Sequence, residues 1–113
     1  MFWPKTFHGS WTSIAPLNTA RALHTATLLT SGINAGKVLV MGGDNFGSGG
    51  EISSIELYNP ASGGSSITIT PSLSSVRDNF TATQLLTGSN AGKVLAVGGY
   101  DGKAPLSSTD LRP

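Results

Sequence analysis

No cysteine occurs in the 113-residue chain, which removes disulfides, thiolate metal sites and thiol nucleophiles together. Charge is scarce as well. Seven Lys and Arg face six Asp and Glu, for a net charge of +1, so there is no electrostatic footprint for nucleic acid or an anionic membrane. No run approaches the roughly 18 apolar residues of a membrane-spanning helix. The opening "MFWPKTFHGSW" lacks the apolar core of a signal peptide, so the chain reads as not exported by that route or as already relieved of a leader. Histidine is limited to His8 and His24. With no nearby carboxylates they make a poor metal site, and no Ser/His/Asp set or pair of carboxylates in a shared cleft can be assembled. The expectation is a non-enzyme without cofactor or metal.

What is abundant is glycine, with 15 residues among many Ser and Thr, a composition of turns and short strands. The chain also repeats itself. Aligned at an offset of 56, residues 21–43 and 77–99 are identical at 14 of 23 positions, where chance gives about one or two. A period in this range belongs to stacked β units such as propeller blades rather than to helical solenoids.

Each copy carries the same string of elements. "HTATLLT" (24–30) and "FTATQLLT" (80–87) read as Thr-rich strands with partial alternation. "KVLVM" and "KVLAV" are continuous apolar runs, expected of strands covered on both faces. Between them "SGINAG" and "TGSNAG" supply turn chemistry. After each Gly-Gly come a loop and a strand ended by proline, "SSIELYNP" (53–60) and "SSTDLRP" (107–113). "SSITIT" (65–70) alternates cleanly, and its counterpart one period earlier is "GSWTSI" (9–14). Nothing sustains a 3.6-residue period. The reading is all-β, with eight strands in two four-stranded units.

These residues resemble a known pattern. "R-x-x-H-T-A-T-L-L … G-K-V-L-V-x-G-G … S-x-E-L-Y-N-P" is similar to the Kelch repeat of β-propellers in its bacterial form, over nearly the whole chain after about residue 10. Departures are Phe80 in place of His24, the ending Asp110-Leu111-Arg112-Pro113 in place of Glu56-Leu57-Tyr58-Asn59-Pro60, and Ile67 where the pattern's Trp appears once as Trp11. The resemblance implies one complete blade over 24–70, a second blade over 80–113 that lacks its outer strand d, and a free strand d at 9–14. A copper oxidase with a tyrosine–cysteine cofactor resembles this fold, but a chain without cysteine cannot build that cofactor.

Two blades cannot enclose each other's faces, since propellers hold about 4–8 and repeat arrays need three or more units. An open edge at 107–112 would template strand addition. The expectation is therefore a head-to-tail homo-oligomer, most simply a trimer forming a six-bladed ring, in which each N-terminal strand completes a neighbour's last blade. Phe2, Trp3, Phe7 and Trp11, half of the eight aromatics, would anchor that exchange, with Trp3, Phe7 and Trp11 as the named assembly residues. The competing expectation is a fragment of a longer propeller chain.

Individual residues follow. Gly42, Gly43, Gly98 and Gly99 end buried strands where the chain passes close to a neighbour. "GINAGK" and "GSNAGK" are one residue short of a phosphate-binding loop and are followed by valine, so that reading is rejected. Arg21 and Arg77, before the first strand of each repeat, and Glu56 and Asp110, on the third, are expected to form structural ion pairs within or between blades, because a charge in a packed sheet needs a partner; the alternative is an anion or sugar site. The loops "DNFGSGGEI" (44–52) and "YDGKAPL" (100–106) supply Asp44, Asn45, Phe46, Tyr100, Asp101 and Lys103 as candidate ligand contacts. A sugar stacked on an aromatic there would make the protein a lectin-like glycan binder. Asn79-Phe80-Thr81 fits a glycosylation sequon, but Phe80 at the start of a strand points to a buried location. The overall expectation is a binding or assembly scaffold.

Overall fold

The computed structural model describes residues 9–47 and 49–113. Seven strands form two antiparallel sheets, and the only helical element among the described residues is one 3-10 turn at Ala61–Gly63. The first sheet contains β1 (Thr25–Leu28), β2 (Val38–Met41), β3 (Ile55–Asn59) and β4 (Ser65–Ile69), in that order across the sheet. The second contains β5 (Thr81–Gln84), β6 (Val94–Val97) and β7 (Thr109–Arg112), again in chain order. No helix among the described residues is long and apolar enough to cross a membrane.

Both sheets are meanders because each connection supplies its own turn chemistry. In the first turn the Gly36 amide donates to Leu29 and the Lys37 amide to Asn34, while Lys37 Nζ reaches Asn34 Oδ1. The second turn repeats every one of these bonds at Gly92, Lys93 and Asn90. Identical residues at the same offset thus fold into identical turns, and the register of both sheets follows. Thr25 faces Met41 as Thr81 faces Val97, and Leu39 faces Leu57 as Leu95 faces Leu111.

The core lies between the sheets. Leu39, Met41, Ile55 and Leu57 from the first sheet pack against Phe80, Val94 and Ala96 from the second, with Leu29, Ile69, Leu73 and Ala82 at the margin. Successive strand residues point to opposite faces. The first sheet therefore meets its neighbour with its odd-numbered side chains, and the second replies with its even-numbered ones. At Gly42 the approach leaves no room for a side chain. A Cβ there would lie 2.7 Å from the Arg77 carbonyl and 2.8 Å from Phe80 Cε1, at a φ of +60°.

The strand expected at 9–14 is one for a second copy's edge rather than for this chain's own sheets. Residues 9–14 form no strand and Trp11 is fully exposed, so the described chain has seven strands rather than eight. Their alternating sequence matches that of β4, but β4 has the free edge of β3 beside it. With β2 on one side of β3 and β4 on the other, the first sheet leaves this segment no place beside β3.

Candidate functional site

Two charged nodes recur in the two sheets. In the first, Arg21 Nη1 donates to the carbonyls of Gly42 and Ser54, and Nη2 meets Glu56 Oε2 at 2.8 Å, both side chains being fully buried. Glu56 also accepts from the amides of Asn18 and Thr19 and from the Ser66 hydroxyl of β4. Burial pushes its carboxyl up, but these bonds together outweigh burial and hold it below the ordinary glutamate value. The node fastens the lead-in segment to the sheet, helped by Tyr58 donating to the Ala15 carbonyl.

The second node repeats the plan and stops short. Arg77 donates to Gly98 and Ser108 as Arg21 does to Gly42 and Ser54. Asp110 accepts from the amide and hydroxyl of Ser74. Arg77 Nη2, however, stands 3.8 Å from Asp110, whose side chain stays 22% exposed. Among the described residues no fourth strand covers it. Burial raises the Asp110 carboxyl and the Ser74 bonds with Arg77 lower it, for a net fall.

The two loops converge at the same end of the sheets as the nodes, just beyond Gly42–Gly43 and Gly98–Gly99. A Cβ on Gly102 would lie 2.6 Å from Glu51 Oε1, so loop 100–106 lies against loop 44–52. Asp44 pairs with Glu51 and Asp78 with Tyr100 through isolated bridges. Several of the expected ligand contacts are occupied by turn geometry. Asp44 Oδ1 accepts from the Phe46 amide, Asn45 Nδ2 donates to Ala20, and Asp101 Oδ1 accepts from the amides of Lys103 and Ala104. Those two amide bonds hold the Asp101 carboxyl below its usual value. Phe46 and Tyr100 remain exposed.

Sequence reasoning did not single out Glu51 or Asp78. Their carboxylate oxygens and that of Asp44 all lie within 4.8 Å of one another. Asp78 is the innermost of the three, and burial, then Glu51, then Asp44 push its carboxyl up. His24 lies elsewhere, before β1, its imidazole pulled down by burial and then by Arg21. Asn79 is exposed at a φ of +52° and only Phe80 is buried, because a residue before the strand can turn outward while the next turns in. This corrects the buried location expected for that sequon. Trp3, Phe7 and His8 lie outside the described residues. No protein-family model and no curated protein matches the chain.

Proposed function

We propose that this chain is a subunit of a head-to-tail homo-oligomer of the Kelch-like β-propeller type, each sheet a blade, working as a binding or assembly scaffold. The observation that carries the reading is a mismatch in burial between equivalent residues. Leu39, Met41 and Leu57 are 2%, 2% and 6% exposed under the second sheet. Their repeat counterparts on the second sheet are Leu95, Val97 and Leu111, of which Val97 and Leu111 are 40% and 42% exposed. The covering residues in the first case are Phe80, Ala82 and Val94, whose counterparts are His24, Ala26 and Val38. Those lie on the first sheet's other face, so each chain carries both halves of one more seam. A face and its complement on opposite sides of a subunit make a heterologous contact that closes into a ring or runs on as a filament.

The strand edge supports the same occupant. Among the described residues β7 pairs with β6 alone, whereas its counterpart β3 also pairs with β4. Residues 9–13 stand one period before 65–69, so a second copy would set its Trp11 opposite Leu111, as Ile67 stands opposite Leu57. Its Ser10 would then stand where Ser66 donates to Glu56, completing the Asp110 node. Three copies give six blades.

Light scattering on a size-exclusion column tests this. The expected mass is three times the 11.6 kDa chain, and Leu111→Arg, a change at an exposed position, should reduce it to one. A folded wild-type monomer at tens of micromolar would overturn the proposal.

A further inference from the structure

We infer that Asp44, Glu51 and Asp78 form a binding site for a hard divalent cation, calcium by preference, at the seam between the two sheets. Three carboxylates from two sheets bring oxygens within 4.8 Å of one another. Calcium binds oxygen at about 2.3–2.6 Å, so oxygens on opposite sides of one ion stand about 5 Å apart, and this cluster fits around it. The donor set is all oxygen, without the imidazole or thiolate that zinc favours.

Asp78 is the independent pointer to a ligand. It is only 5% exposed, its backbone is pinned by reciprocal bonds with Tyr100, and among the described residues no donor reaches its carboxylate. The two ion pairs found among those residues belong to Glu56 and Asp110. The Asp78 carboxylate keeps a narrow opening to solvent, and with neither a donor nor a basic partner it gains from a cation that meets it there. Glu51 and Asp44 beside Asp78 raise its carboxyl further.

The repeat shows that the scaffold does not need these acids. Tyr100 and Pro105 pair in the second sheet as Asp44 and Glu51 do in the first, and Ala22 stands one period before Asp78. The same backbone is therefore built elsewhere in the chain with a tyrosine, a proline and an alanine, and the acids are an addition to one seam only. Gly102 contributes by omission, since a side chain there would press on the Glu51 carboxylate.

The test uses the full chain, stripped with chelator and titrated with calcium chloride, followed by calorimetry and thermal melting. Terbium serves as a luminescent stand-in excited through Tyr100. Saturating calcium should raise the melting temperature by about 4 °C or more, and calcium should displace terbium. Asp78→Asn should melt at or above the wild type in chelator, since it removes repulsion, and should bind calcium about tenfold more weakly or worse. Glu51→Gln, at a half-buried position, repeats the measurement should Asp78→Asn fail to fold. Wild-type protein that neither shifts its melting temperature nor binds terbium at millimolar calcium overturns the inference. So does a variant whose response equals the wild type's, which would mean that the carboxyls share a proton and the ion binds elsewhere.

Discussion

Glu56→Gln probes the construction of the first sheet most sharply. Each Glu56 oxygen accepts two donors, Oε1 from the Asn18 amide and the Ser66 hydroxyl, Oε2 from the Thr19 amide and Arg21 Nη2. Glutamine keeps the shape but turns one oxygen into an amide nitrogen, which then confronts two donors. It also strands the buried Arg21 guanidinium. Removing one member of a buried ion pair costs about 3–5 kcal/mol, a large share of the roughly 5–15 kcal/mol that keeps a domain folded. The melting temperature should fall by about 15 °C or more. Asp110→Asn supplies the comparison. Its carboxylate is partly wet, its arginine stands 3.8 Å away, and Ser74 gives its two hydrogen bonds. In dilute protein, where association contributes little, its cost should be about 1–2 kcal/mol. Urea unfolding followed by circular dichroism measures both. A Glu56→Gln cost under about 1 kcal/mol, or equal costs for the two variants, would refute the claim that burial and donor count set the strength of each node.

Gly42→Ala forces a Cβ to within 2.7 Å of the Arg77 carbonyl at a positive φ, while at Gly98 the nearest atom is the Leu106 carbonyl at 3.3 Å. Both pay backbone strain, but Gly42→Ala should cost about 2 kcal/mol more in a dilute melt. Equal losses would mean that the seam yields freely. Acid unfolding has a definite sign. The carboxyls of Glu56 and Asp110 are held below their ordinary values, so the stability they add is present above about pH 4 and is lost as pH falls through their folded values. Glu56→Gln should flatten that acid limb, and an unchanged pH profile would contradict the assignment.

The strands and turns were legible because the sequence states them twice. A short apolar run is ambiguous alone, but "KVLVM" and "KVLAV" sit behind the same turn and before the same Gly-Gly, and the structure makes both into second strands of meanders. Arg21 and Glu56 were legible as ion-pair members for the same reason, each having a like-charged counterpart in the second repeat, while which base meets which acid became visible only in the fold. Residues 9–14 read as a strand for another copy, since alternation declares a preference for an edge and β4 already takes the one beside β3; within the single chain they form no strand. Glu51 and Asp78 stand 27 positions apart and belong to different sheets, so no local pattern joins them. The signal that could have found them is departure from the repeat, which replaces Tyr100, Pro105 and Ala22 with three acids.

Repetition and its failure together bear on how an assembly would close. Under the proposed ring, the seam between chains is built from the same backbone positions as the seam within a chain, so the angle between neighbouring sheets is set locally and the number of sheets follows from it. The two seams nevertheless differ in chemistry. Inside the chain, Gly42 packs on Phe80 and the acids meet at its loop end. Between chains, the counterparts are Gly98 with His24 and the uncharged Tyr100, Pro105 and Ala22. A cation bound at the acid cluster would stiffen every second seam and leave the others free to adjust. Stiff and compliant joints would then alternate around the ring, so that subunits could be exchanged at one kind of joint while the two sheets of each chain stay locked at the other.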